Sequence, residues 1–399
     1  MASEIEGVPA CSKASKRWLL PWVLGVGLIG SACSDPQPLA HRQRTLADDY
    51  SNKVLTIRDL SVIEDPNRAL DPCDEGQEGA LPPWSFGKIA QKLAEQAGTP
   101  DAPTFIKNWL DTWKSTQVVN GHFVEPVPID QFVTDPWLYK SGGERLNLGI
   151  APFRLLSIIN RIDLSANDGK GELRMNYVAT NGPDCEPIHF MVIFEFELPV
   201  QSADELLDLA RRWDALASMP FGESYNAALQ DLTDELTSAR LKHVNTCEEE
   251  ASVLEWNYRS FALADGALVN VPLFQSPDVN DEGDPQLVAW VNANEDAILA
   301  DSHVVPDELL GGDTRNVDWV GVGFADPYEV RHHFALATCS GCHAGETGTS
   351  FVHTNRRRRH QQTSVSEYLT GEEIQDPRGR VRIFNAFADR AAYLHSLLQ

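Results

Sequence analysis

The chain has 399 residues, of which 42% are hydrophobic and 23% are charged, and its formal net charge is −25. This composition excludes a disordered or fibrous chain, and the acidic excess argues against a nucleic-acid-binding protein, which needs a basic surface. The length predicts two domains.

Residues 1–32 have the pattern of an export signal. Three basic side chains between positions 13 and 17 precede an uncharged, mostly apolar stretch, 18–30, which ends in small residues. A helix over that stretch would be about 20 Å long, shorter than the roughly 30 Å hydrocarbon core of a bilayer. The pattern therefore predicts a cleavable signal rather than a membrane-spanning helix.

Cys33 follows the small residues of the signal directly. Gly30-Ser31-Ala32-Cys33 resembles the lipobox of bacterial lipoproteins, with Gly30 where Leu is usual. The resemblance implies acylation of Cys33 and a lipid anchor, and Ser34 after it resembles lipoproteins sent to the outer membrane. Residues 33–50 then form a predicted polar tether.

Strands and helices alternate without a regular strand–helix–strand repeat over residues 51–326, which predicts an α+β domain. Alternating β-branched stretches predict strands, and apolar residues at helical spacing predict helices. Asp101, two residues before a proline, predicts the start of one helix. The predicted strands are 53–63, 154–164, 171–180, 188–198 and a hairpin 253–274 turning at Ala264-Asp265-Gly266, and the predicted helices are 84–98, 101–115, 203–219, 224–239 and 284–301.

The body of the chain contains no motif that assigns it a chemistry. We find no phosphate-binding loop, no H-E-x-x-H, no nucleophile elbow and no dinucleotide fingerprint. His189, His243 and His303 are scattered, and isolated histidines are most often structural or exposed. The stretch 278–285 begins like a calcium-binding loop but has Ala289 where such a loop needs Glu, which favours an exposed acidic turn.

The C-terminal segment, residues 327–399, contains the clearest motif. A predicted helix, 327–338, leads into Cys339-Ser340-Gly341-Cys342-His343, and a last helix is predicted over 385–398. The spacing C-x-x-C-H is the attachment signal for c-type haem. Two thiols at this spacing reach the two vinyl groups of one porphyrin, and the histidine can bind the iron.

On this motif the segment resembles a small, mostly α cytochrome c domain. The resemblance implies one haem c, thioether bonds from Cys339 and Cys342, and iron ligation by His343. The whole chain also resembles bacterial lipoproteins that carry such a segment at the C-terminus, a likeness that implies no activity. Export agrees with haem attachment, which takes place outside the cytoplasm.

The second iron ligand departs from the cytochrome pattern. All four methionines lie upstream of the motif, so none can be the usual downstream ligand. We expect His353, ten residues past the motif, to be the sixth ligand, and His360, His395 or an open position are the alternatives. His332 and His333 lie on the incoming helix and are expected to face solvent or to pack at the ring edge.

Two uses of the motif without haem remain open. Cys339 and Cys342 can form a redox dithiol or a disulfide, and together with His343 and His353 they can form a zinc site. The arginine run 356–359 suits haem propionates or an acidic partner, and such runs are also common in solvated loops.

The other cysteines are expected to form disulfides in an oxidising compartment. Cys11 leaves with the signal and Cys33 takes the lipid. If Cys339 and Cys342 have another use, Cys73, Cys185 and Cys247 remain, enough for one disulfide. Cys185 with Cys247 is our provisional pairing, which spacing alone does not determine.

Three functions are compatible with the sequence. The favoured one is an exported, lipid-anchored electron carrier, periplasmic or at the cell surface, with an unknown redox partner. The second is a haem enzyme of the peroxidase or small-ligand type with an open iron position. The third is a non-catalytic surface lipoprotein with a structural C-x-x-C disulfide.

Overall fold

A computed structural model describes residues 49–74, 79–250, 255–349, 352–371 and 373–399. The predicted signal 1–32, the lipidation site Cys33 and nearly all of the tether 33–50 lie outside these residues. No helix in the described ranges is long and apolar enough to cross a membrane.

An antiparallel sheet organises the described chain. The sheet has eight strands: seven pair in the order β1-β4-β5-β6-β7-β8-β10, and the eighth, β9, pairs with β8. Two short hairpins, β2-β3 and β11-β12, are not part of this sheet. The strands are β1 Thr56–Ile57, β2 Gln117–Val119, β3 His122–Val124, β4 Phe153–Arg161, β5 Glu172–Asn181, β6 Glu186–Glu197, β7 Leu241–Glu250, β8 Glu255–Ala264, β9 Ala267–Val271, β10 Asp313–Thr314, β11 Glu373–Gln375 and β12 Val381–Ile383.

Helices precede, interrupt and follow the sheet strands. They are α1 Leu60–Ile63, α2 Phe86–Gln96, α3 Ala102–Asp111, α4 Asp135–Lys140, α5 Ser165–Asp168, α6 Ala203–Ala217, α7 Glu223–Leu236, α8 Pro285–Ala293, α9 Glu295–Leu299, α10 Glu329–Ala337, α11 Cys339–His343, α12 Glu367–Thr370 and α13 Ala386–Leu397. This mixed, antiparallel architecture is α+β, as predicted.

The two faces of the sheet follow from the two-residue period of its strands. Tyr177 of β5 and Phe194 of β6 point into the main core, which also contains the buried faces of α2, α3, α6 and α7. Val178 of β5 and its cross-strand partner Met191 of β6 belong to a separate cluster on the other side, which we call the second face. Because both faces are covered, most residues of β4, β5 and β6 are buried.

The C-terminal segment packs on the second face. Cys339, Ala344 and Val352 contact the cluster formed by Cys247 of β7 and Tyr258 of β8. Residues 44–399 form one compact unit that includes this segment. The motif therefore lies between the sheet and the C-terminal chain.

Several predicted elements are confirmed. The Asp101 side chain caps α3 by accepting a hydrogen bond from the Thr104 amide. The hairpin of β8 and β9 turns at Asp265-Gly266, where Ala264 pairs with Ala267. The predicted helices 327–338 and 385–398 correspond to α10 and α13.

Two predicted elements are wrong, and one long strand was missed besides several short ones. The strand predicted over 53–63 is reduced to β1, because Asp59 accepts a hydrogen bond from the Ser61 amide at 3.0 Å and starts α1 instead. The helix predicted over 284–301 breaks at Asn294 into α8 and α9. The missed long strand is β7, whose sequence is mostly polar.

Candidate functional site

The motif occupies one helical turn, α11, directly after α10. Thr338 separates the two helices, and its hydroxyl accepts a hydrogen bond from the Gly341 amide at 3.1 Å, as an N-cap does. A Cβ atom at Gly341 would lie 1.9 Å from the carbonyl oxygen of Ala335 in α10. The glycine inside the C-x-x-C spacing therefore lets the motif pack directly on the preceding helix.

Hydrogen bonds from earlier parts of the chain fix this turn. The Cys339 amide donates to Ser276 Oγ at 2.8 Å. Trp319, which is fully buried, donates from Nε1 to the hydroxyls of Thr338 at 3.1 Å and Ser340 at 2.9 Å. The first thiol is thereby held against the second face of the sheet.

His353 lies beside the motif. Its Nε2 is 3.5 Å from Cys342 Sγ, and its ring centroid is 4.7 Å from that of His343. Its Nδ1 is 2.9 Å from the hydroxyl of Ser366. A hydrogen bond at one ring nitrogen orients the other, so Nε2 faces the motif. The structure thus brings together the four residues that the sequence singled out.

Two tyrosines enclose the imidazoles. The ring of Tyr258 on β8 is 5.2 Å from His343, and the ring of Tyr368 on α12 is 4.9 Å from His353, between centroids. The two half-buried histidines therefore lie in an aromatic environment.

Burial sets the protonation of the cluster. It raises the pKa of Cys339 to about 12 and also raises the pKa of Cys342. Burial, followed by the charges of His343 and Arg390, lowers the pKa of His353 well below its usual range. At neutral pH the thiols are protonated and His353 is a neutral imidazole, the form that binds metals.

Three arginines act electrostatically on the cluster. Arg161 of β4, Arg174 of β5 and Arg390 of α13 each influence the pKa of both Cys342 and His353. Sequence reasoning missed them, because they come from three distant segments of the chain. The cluster therefore has a cationic side that no local pattern indicated.

These arginines differ in how their charge is compensated. Arg161 donates to Asp163 from Nε and Nη2, both at 3.0 Å, and Arg174 is 3.0 Å from Glu195. Arg390 has no hydrogen-bond or ion-pair partner among the described residues. Burial, followed by the charge of Arg161, lowers the pKa of Arg390 to about 9. A partly buried guanidinium without an anion leaves capacity for one.

The other two proposed histidine ligands lie elsewhere. The His360 ring is 2.9 Å from Glu64, and the exposed His395 ring lies tilted against Tyr50, with 5.2 Å between centroids. Both make these contacts outside the motif. His333, which was not expected to bind iron, is paired with Asp301 at 2.8 Å.

The expectation that His332 faces solvent is wrong, because it is buried and belongs to an ion cluster. Its Nδ1 is 2.5 Å from Glu346, which also pairs with both terminal nitrogens of Arg331. Asp376 lies 3.8 Å from Arg331 and bonds Arg382 at 2.9 Å. The ligand atoms of His332, Glu346 and Asp376 are close enough for one metal ion, but arginines already occupy both carboxylates.

The arginine run is neither a free loop nor part of the motif environment. Buried Arg357 pairs with Glu64 and donates to the Leu155 carbonyl at 2.9 Å. Exposed Arg358 pairs with Glu186 at 2.7 Å, and Arg359 pairs with Asp74 at 2.6 Å. These bonds attach the C-terminal segment to the N-terminal segment and to the β5–β6 hairpin.

The acidic stretch 278–285 is not wholly exposed. Asp278 is 2% exposed, and its Oδ2 lies 3.6 Å from His122 Nδ1. Asp281 completes a group whose ligand atoms lie within 4.8 Å of one another. The expected exposed turn is therefore corrected at Asp278, whose side chain instead caps the local turn at the Asn280 amide.

The provisional pairing of Cys185 with Cys247 is wrong. Cys247 is fully buried in β7 opposite Met191 of β6, whereas Cys185 lies in the turn before β6. Six residues of extended strand separate these points by about 20 Å. The structure places Cys185 beside Cys73 instead.

The donor set is chemically suited to a haem c group: two thiols and an imidazole on one turn, a second imidazole beside them, and uncompensated positive charge. The distances fit incompletely. Two imidazoles that bind one iron from opposite sides have centroids roughly 6 Å apart, since each metal–nitrogen bond is about 2 Å. The observed 4.7 Å means that ligation by both His343 and His353 requires the rings to move apart.

Comparisons of the chain with protein-family models, with curated proteins and with solved structures find no match. Function is therefore inferred from the residues and their geometry.

Proposed function

We propose that this protein is an exported, lipid-anchored c-type haem protein that transfers electrons. The observation that supports this most strongly is the C-x-x-C-H turn packed against the sheet with a second imidazole, that of His353, at its side. Bound haem supplies one-electron oxidation and reduction.

Each residue of the motif would hold a different part of the haem. Cys339 and Cys342 provide the thioether sulfurs and His343 the proximal nitrogen. Thr338 and Ser276 keep the turn in place through the hydrogen bonds described above. The C-terminal segment then acts as a cytochrome c-like unit seated on the α+β body.

The arginines supply the charge that the group needs. Haem carries two propionates, and a carboxylate is the preferred partner of a guanidinium. Arg390 has no such partner of its own, whereas Arg161 and Arg174 are already paired. We therefore assign Arg390 to a propionate.

The lipid on Cys33 would hold the protein at a membrane surface, and the tether 33–50 would let it reach a redox partner. This location follows from the export signal and the lipobox-like residues.

A haem enzyme with an open iron position is the second candidate. It is favoured by the 4.7 Å between the His343 and His353 centroids, which is too short for both to bind one iron without movement. A groove of about 800 Å³ is lined by parts of α2 and the loop 145–149 and includes no motif residue, so it does not supply a substrate site over the motif.

Covalent haem attachment tests the main proposal. The full chain is produced together with haem-attachment machinery and separated on a denaturing gel stained for haem. We expect stain on the wild type and none on Cys339→Ser/Cys342→Ser. Cys247→Ser is the matched control, because it removes a buried thiol of the same cluster outside the motif. A wild-type chain without haem would overturn the proposal.

The sixth ligand decides between carrier and enzyme. If His353 binds iron, the wild type is low-spin and does not bind carbon monoxide, whereas His353→Ala does. His360→Ala, which removes a surface histidine, leaves the spectrum unchanged. Carbon monoxide binding to the wild type would favour the open-site enzyme.

A further inference from the structure

Cys73 and Cys185 are far apart in sequence but meet in the fold. Cys73 Sγ is 3.7 Å from the carbonyl oxygen of Asp184, the residue before Cys185. Cys185 is also near enough to be, after burial, one of the causes that raise the pKa of Cys73. Cys185 is buried at the end of the β5–β6 turn, and Cys73 is half-buried in the segment that follows α1.

Neighbouring charges hold Cys73 in this position. Arg154, which is 1% exposed, donates from Nη2 to Cys73 Sγ at 3.4 Å. Asp71 accepts a hydrogen bond from the Cys73 amide at 2.8 Å and binds Arg154 at 3.0 and 3.3 Å. The thiol is therefore fixed toward the hairpin rather than free to rotate into solvent.

We infer that Cys73 and Cys185 form an intramolecular disulfide when the chain meets a disulfide-type oxidant outside the cytoplasm. One cysteine thiolate attacks the oxidant, forms a mixed disulfide and releases one thiol. The second cysteine displaces the other thiol. The two cysteines lose two protons and two electrons, and the oxidant gains them as two thiols.

Burial and the neighbouring Cys185 raise the pKa of Cys73 to about 12, so little Cys73 thiolate is present at neutral pH. Attack from the Cys73 side is therefore slow near neutral pH and becomes faster as pH rises.

The bond would tie the segment around Cys73 to the tip of the β5–β6 hairpin. It would close a loop of about a hundred residues, and it is expected to raise the melting temperature by roughly 5 °C. The inference is independent of haem attachment.

The test uses the full chain and oxidised glutathione as the oxidant. The protein is incubated with and without it, free thiols are alkylated, and peptides are mapped under non-reducing conditions. We expect a peptide pair linked through Cys73 and Cys185, with Cys247 alkylated only after unfolding, since Cys247 is fully buried. Melting of the oxidised and reduced wild type measures the stabilisation without any variant.

Cys185→Ser serves as a check on specificity, because it should leave Cys73 alkylated after the same incubation. Free Cys73 and Cys185 in the oxidised wild type, or a bond from either one to another cysteine, would overturn the inference.

Discussion

The two cysteine pairs of this chain have different kinds of support. Cys339 and Cys342 share one helical turn, α11, whose flanks are held by fully buried charges, Arg331 and Glu346. Cys73 and Cys185 come from separate segments. The Arg154–Asp71 ion pair beside them, with side chains 1% and 11% exposed, joins β4 to the segment after α1. A local pair is recognisable from spacing, whereas a distant pair exists only because the sheet places its segments side by side.

Removing the buried charge beside the motif should have the largest effect. Glu346→Ala leaves Arg331 buried without its carboxylate, and losing one partner of a buried ion pair costs about 3–5 kcal/mol. Urea denaturation of the chain measures this. Glu235→Ala, which removes the partly exposed partner of Arg212, should cost about 1 kcal/mol or less. Equal losses in the two variants would mean that the ion cluster does not support the motif.

Glu195, which is paired with Arg174, makes the stability of the fold depend on pH. Burial raises the pKa of Glu195 from 4.5 to about 7, although Arg174 opposes this. The folded chain therefore retains a proton that the unfolded chain loses above about pH 4.5. The contribution of Glu195 to stability falls as pH rises from 4.5 to 7 and is constant above that.

The variant Glu195→Gln isolates this contribution. Its stability relative to wild type should increase by about 3 kcal/mol between pH 4.5 and 8. Unfolding curves of both chains across this range measure the difference. A difference that does not change with pH would show that Glu195 titrates normally.

Removing the charge that supports Cys73 should destabilise the fold less than removing Glu346. Asp71→Asn keeps the shape of the side chain but removes the negative charge that binds Arg154, and a hydrogen bond to a charged group contributes about 1.5–3 kcal/mol. We also expect slower disulfide formation, because Cys73 loses a fixed neighbour. Denaturation and the alkylation assay measure the two effects, and an unchanged oxidation rate would contradict the positioning role.

The smallest effect is expected at the surface of the same hairpin. Arg358 and Glu186 form an ion pair whose side chains are 71% and 51% exposed, and such pairs contribute about 0–1 kcal/mol. Arg358→Ala should therefore change the unfolding free energy little. A loss as large as that of Asp71→Asn would indicate that the arginine run acts as one unit.

Local chemistry predicted much of the fold. The Asp101 cap, the Asp265-Gly266 turn and the last helix are as expected, because each depends on residues within a few positions of one another. The strand expected over 53–63 failed because the Asp59 cap outweighed β-branched composition. β7 was missed because its sequence is mostly polar and its charged side chains are paired by other strands of the sheet, as Glu248 is by Arg259.

The sequence likewise predicted some residues of the candidate site and missed others. Spacing alone indicated Cys339, Cys342 and His343, and proximity in sequence indicated His353. Arg390 could not be predicted, since it lies on the last helix, far along the chain from the motif that it influences. The ion cluster could not be predicted either, since Arg331, Glu346 and Asp376 come from separate segments.

The sequence by itself determined the α+β class and a thiol–histidine turn suited to haem, because periodicity and short spacing are local properties. Only the tertiary structure decided that this turn is buried against the sheet, that the arginine run binds the chain's own acids, and that Cys185 meets Cys73. The physical reason is that strand register and burial bring together residues whose separation along the chain carries no signal.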